Sequence, residues 1–88
     1  MIPSSTVSAL LLVALERENQ IENHAWSERH DDRHEPSTWG WLIGRRASDL
    51  ACPFPEVVGD DHRRLLVEIA AIAVAGIESI DRKQKEQS

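Results

Sequence analysis

Between Ile69 and Ile77 the chain runs through nine residues without a charge, inside a longer segment whose apolar residues recur at helical spacing. Leu65, Leu66, Ile69, Ile72, Ala73, Gly76, Ile77 and Ile80 make one stripe; Val67, Ala70, Ala71, Val74 and Ala75 make a second apolar face. A helix that is apolar all round is buried all round. A chain of 88 residues has little else with which to cover it, since a domain of that size removes only about 60–65% of its unfolded surface from water. The segment therefore predicts a homodimer or homotetramer that shares this helix in a core of four or more helices. Ile69, Ile72, Ala73, Gly76 and Ile77 are the expected interface between copies. Asp60 or Asp61 is expected to cap the helix, and the polar tail Arg82–Ser88 to fray.

The remaining pattern is helical as well, and no stretch alternates apolar and polar residues long enough to suggest a strand. A first helix is expected from a hydroxyl cap in Ser4-Ser5-Thr6 to about Glu22. Val7, Leu10, Leu11, Ala14, Leu15 and Ile21 form its stripe, with Leu12 and Val13 widening it, so that the helix should be covered on two sides. The polar segment Asn23–Pro36 follows. A second main helix is expected from Ser37 to about Ala51, capped by Ser37 or Thr38, with Trp39, Leu42, Ile43, Ala47 and Leu50 facing inward. Gly40 and Gly44 weaken it but permit close approach of another backbone. Cys52-Pro53-Phe54-Pro55 ends it, because proline disfavours helix in its interior and at the preceding residue. The fold expected is all-α: one domain over residues 1–88, with three main helices and a polar loop after the first, completed as a multi-helix bundle by oligomerisation.

Composition narrows the function classes. The apolar stretch Val7–Leu15 is nine residues long, against roughly 20 for a membrane span. Met1–Thr6 carries no lysine or arginine, unlike a signal peptide. One cysteine, Cys52, cannot form an internal disulfide, which points to a reducing, cytoplasmic setting. A net charge of −5, a pI near 5.2, no tyrosine and one phenylalanine argue against nucleic acid. No glycine-rich phosphate loop, nucleophile elbow or Cys-His pair is present.

Three constellations can carry chemistry. In the loop, three of the four histidines fall within eleven residues. His30 and His34 are four apart, and Asp31, Asp32 and Glu35 lie alongside. Such nitrogen and oxygen ligands suit Zn²⁺ at the His24–His34 loop; the alternative is a solvated loop of turns and caps. Trp39 and Trp41 are two apart and point about 200° from each other on a helix. One should be core; the other, with Trp26, can line a pocket for a flat ligand such as a base. Finally, Arg45 and Arg46 precede Asp49 by four and three residues. They can form surface salt bridges or recognise phosphate bidentately, and with Glu68 they can form one cross-helix cluster.

Three segments together resemble small actinobacterial and phage proteins related to MazG-like nucleotide pyrophosphohydrolases. They are Glu16-Arg17-x-x-Gln20 with Trp26 and His30-x-Asp32; Trp39-x-x-Leu42-Ile43 with Arg45-Arg46-x-x-Asp49; and Leu66–Ala75 with Ile77-Glu78-x-Ile80-Asp81-Arg82. The resemblance spans about Ala14 to Lys83. It implies an all-α fold assembled as dimers or tetramers and, in catalytic members, Mg²⁺-dependent cleavage of nucleoside triphosphates to monophosphate and pyrophosphate. Family enzymes hold the metal with Glu-Glu-x-x-Glu on one helix and Glu-x-x-Asp on the next. Here those positions read Arg45-Arg46-Ala47-Ser48-Asp49 and Leu65-Leu66-Val67-Glu68, leaving Asp49 and Glu68 as the catalytic candidates. Trp26, Trp39, Arg45 and Arg46 are the nucleotide-binding candidates. Glu16, His30, Asp31 and Asp32 are additional metal ligands if the ion sits elsewhere. Two readings follow: a diverged pyrophosphohydrolase, or a non-catalytic phage-type protein that sequesters nucleotides or inhibits a host defence protein.

Overall fold

The structure is a computed structural model that describes residues 1–51 and 59–87. Cys52 and its flanking prolines lie outside the described residues, as does the side chain of Asp60. Four helices follow one another: α1 (Ser4–His24), α2 (Glu28–Asp31), α3 (Pro36–Leu50) and α4 (Gly59–Gln87). No strand occurs among the described residues, and the fold is all-α.

The helix ends differ from expectation for local reasons. Pro3 occupies the N-cap of α1, and its carbonyl accepts from Thr6 N at 3.0 Å and Val7 N at 3.3 Å. The hydroxyls of Ser4–Thr6 are already inside the first turn and cap nothing. The helix stops at Ala25, whose φ of 57° turns the chain left-handed so that Ala25 and Trp26 both donate N–H to the Gln20 carbonyl. Ser27 then caps α2 by accepting from His30 N at 3.3 Å. α3 begins at Pro36 rather than at a Ser37 or Thr38 cap, because proline at the first helical position has its φ preset and lacks an N–H that would be unpaired anyway. Asp61 sits within α4 and pairs with Arg64 at 3.4 Å instead of capping it. The tail expected to fray continues α4 as far as Gln87.

α4 is the spine. α1, α2 and α3 each pack against it, whereas α1 and α3 do not pack on each other. Its inner face is Ala71, Ile72, Ala75, Gly76 and Ser79, all buried. Trp39 lies flat enough on this face that a Cβ on Gly76 would sit 3.2 Å from Trp39 Cδ2. The close approach is made at Gly76, not at Gly40 or Gly44, where an added Cβ would meet nothing within 4 Å. Trp39, Ile72 and Ala75 form the core, with Trp26, Leu42 and Ile43 partly buried against it.

Two apolar faces are left open. α1 turns Leu12, Val13, Arg17 and Gln20 toward α4, while Val7, Leu10, Leu11 and Leu15 are each more than half exposed. The stripe read from the sequence is therefore the outer face of α1, not its packing face. On α4 the outer face carries Leu66, Val74, Ile77 and Ile80. Of the residues expected between copies, Ile77 lies on this open face and Ile69 and Ala73 are partly covered. Ile72 and Gly76, expected between copies, are instead buried inside the chain against Trp39. The radius of gyration is 14.5 Å, against about 12 Å for a compact domain of this length.

Candidate functional site

Among the described residues the most extensively bonded polar structure is built where α1, α2 and α4 meet. Asp31, fully buried, accepts from Arg17 Nη2 at 2.7 Å through Oδ2. Arg17 is itself buried, donates from Nη1 to the Trp26 carbonyl at 3.2 Å, and reaches Glu78 Oε1 at 3.4 Å. A buried charge is tolerated when its remaining hydrogen-bonding groups are satisfied, and these bonds do that. One residue on, Asp32 accepts from Ser79 Oγ at 2.8 Å and from Arg82 Nη2 at 2.8 Å. The Arg82 hydrogen bond, aided by Ser79, holds the Asp32 carboxyl below its ordinary range. The same pairing raises Arg82. Lys83 Nζ donates to the His34 carbonyl at 3.0 Å, so the segment from Asp31 to His34 is fastened to α4 along its length.

Around this junction the rings form a chain. Trp26 and His30 stack with centroids 6.2 Å apart and planes within 11°. His30 meets His34 edge-on at 4.8 Å, and His34 meets Trp39 edge-on at 4.8 Å. Burial, together with the neighbouring His30, pushes the His34 imidazole below its ordinary value, while Asp31 pulls the other way. His30, Asp31 and His34 each offer a ligand atom, and these lie within 4.8 Å of one another; among the described residues this is a cluster that can hold a metal ion. His24 is not part of it and lies against Trp26 at 6.3 Å.

A second polar region lies between α3 and α4, a cleft of about 320 Å³ lined by Arg45, Arg46, Asp49, Leu65 and Glu68. This is the cross-helix cluster read from the sequence. Arg46 Nε lies 3.4 Å from Glu68 Oε2, its Nη1 donates to the Leu42 carbonyl, and its guanidinium sits 5.8 Å from the Trp26 ring. Arg45 lies over Trp41 at 5.9 Å. Trp41 is 62% exposed and Trp39 only 7%, so Trp41, not Trp39, borders open surface.

The expected metal ligands are not one site. Glu16 binds Asn19 and Gln20 within α1, Asp32 is clamped by Arg82 and Ser79, and Asp49 and Glu68 share the cleft with two arginines. Two carboxylates, one already paired with a guanidinium, do not fit Mg²⁺, which needs several oxygen ligands and is repelled by neighbouring cations. Sequence reasoning missed Arg17, Ser79 and Arg82 as site residues. The available signal was Arg17 and Gln20 standing at i+4 and i+7 from Val13, a polar interruption of a helix face.

No family model matches the chain, and no curated protein and no solved structure matches it. Among the described residues no helix is long and apolar enough to cross a membrane.

Proposed function

We propose that the cleft between α3 and α4 binds the phosphate groups of a nucleoside phosphate, as a diverged relative of the MazG-like proteins that does not work through Mg²⁺ at that cleft. The observation that carries this reading is the convergence of Arg45 and Arg46 on one cleft, each guanidinium close to a tryptophan ring. Guanidinium forks match phosphate oxygens bidentately. Arg46 is held by Glu68 and the Leu42 carbonyl, while Arg45 is exposed and can swing onto a ligand. The exposed Trp41 face offers a surface on which a base can stack.

Calorimetric titration with each nucleoside triphosphate tests it. Saturable binding is expected, weakened about a hundredfold in the Arg45→Ala/Arg46→Ala double variant, as two charge-assisted hydrogen-bonding groups are lost. No pyrophosphate should be released with Mg²⁺ or Mn²⁺. Turnover abolished by Asp49→Asn or Glu68→Gln would establish the enzyme reading instead. Unaltered binding in the double variant would remove the cleft from consideration.

The same reading includes self-association, supported by the open faces of α1 and α4. Exposed apolar surface spread over two helices is unusual for a monomer. Sedimentation is expected to give a mass of at least twice 9.9 kDa, and Ile77→Glu is expected to shift it toward the monomer. A wild-type monomer at tens of micromolar would refute this part. The open faces also favour a second reading, contact with another protein, which becomes the leading one if no nucleotide binds.

A further inference from the structure

We propose that His30, Asp31 and His34 form a binding site for a zinc-class divalent ion, with a coordination position left open beside His30. The donor set is two imidazoles and one carboxylate, a combination that suits zinc and other late first-row metals rather than Mg²⁺ or Ca²⁺. The ligand atoms lie within 4.8 Å of one another, so modest side-chain rotation brings them to the separations that metal–ligand bonds of about 2.0–2.2 Å require.

The surroundings are those of a supported site. Arg17 binds Asp31 through Oδ2 at 2.7 Å, which leaves Oδ1 turned toward His30 Nδ1 at 3.3 Å. A ligating carboxylate is ordinarily held in this way by an outer hydrogen bond, and the partner sets its orientation. The backbone that follows is fixed as well: Ser79 Oγ donates to Asp32 Oδ1 at 2.8 Å, and Lys83 donates to the His34 carbonyl at 3.0 Å. His34 is steadied by edge contacts with His30 and Trp39. Three protein ligands leave at least one position for an outside molecule, as in catalytic rather than structural zinc sites. His30, whose side chain is 42% exposed, also lines a pocket of about 380 Å³ with Ala25, Ser27, Arg29 and Arg33. An outside molecule that reaches the ion through this pocket passes Arg29 and Arg33, a setting that favours a small anionic oxygen ligand, such as a carboxylate or phosphate.

The proposal is independent of nucleotide binding at Arg45 and Arg46. It is tested on the full chain after chelator treatment, by titration with ZnCl₂ and with CoCl₂ as a spectroscopic probe. One equivalent is expected to bind, to raise the melting temperature, and to give the visible absorption of a four- or five-coordinate Co²⁺. His30→Ala, at a half-exposed position, should fold normally by circular dichroism and lose at least about tenfold in Zn²⁺ affinity. His34→Gln serves as the second variant. Adding acetate should shift the Co²⁺ spectrum, and the shift should weaken in Arg29→Ala/Arg33→Ala. Absence of stoichiometric binding at micromolar Zn²⁺, or wild-type affinity in both histidine variants, overturns the site. A Co²⁺ spectrum indifferent to acetate overturns the open position.

Discussion

Asp31→Ala is expected to lower folding stability by about 3–5 kcal/mol, the range for breaking one side of a buried ion pair. The loss is large because alanine removes the carboxylate and leaves the Arg17 guanidinium buried with only the Trp26 carbonyl and a half-exposed Glu78 as partners. Small domains have a total of about 5–15 kcal/mol, and this one buries only Trp39, Ala71, Ile72 and Ala75 as apolar residues among those described. The variant should therefore be largely unfolded at moderate temperature. Urea denaturation followed by tryptophan fluorescence, with chelator present throughout, measures it. Arg17→Met/Asp31→Leu should be more stable than Asp31→Ala, since replacing both charges with apolar groups also removes their desolvation penalty. A loss below about 1 kcal/mol for Asp31→Ala would mean that the pair does not organise the junction.

Trp39→Ala is expected to cost about 3–5 kcal/mol as well, through a different mechanism. The indole is the largest buried apolar side chain, and it bridges α3 to the glycine face of α4 while supporting His34. Removing it leaves a void beside Gly76, where the neighbouring helix has no side chain to collapse into the space. Trp41→Ala is the matched control: the same deletion two residues along, at a position 62% exposed, should change stability by no more than about 0.5 kcal/mol. Equal effects of the two variants would contradict the packing of α3 on α4.

The two variants also separate what was legible along the chain from what was not. Helical spacing alone required that Trp39 and Trp41 point apart, so that one had to be core. The His30–His34 spacing was legible too, whereas Asp49 shares a cleft with Arg45 and Arg46 while Arg46 pairs with Glu68 instead. Glu68 joins the arginine cluster across helices, as read from the sequence. The junction that holds the loop was not legible. Arg17 and Asp31 are 14 residues apart, Ser79 and Asp32 are 47 apart, and Arg82 and Asp32 are 50 apart. Charged residues at those positions read equally well as solvated surface.

Periodicity and turn chemistry, being local, were enough for an all-α chain with a polar segment between its first two long helices and a last helix apolar round much of its circumference; that the polar segment folds into α2 and buries Asp31 was decided by the tertiary contacts. Which faces turn inward is a matter of long-range fit. α1 packs with the side bearing Arg17 and Gln20 because the loop places a buried carboxylate opposite. α4 packs with the side bearing Gly76, where the Trp39 ring occupies space that a side chain would fill. Hydrophobic spacing reports how much of a helix must be covered; charge pairing and shape across the tertiary contact select which part.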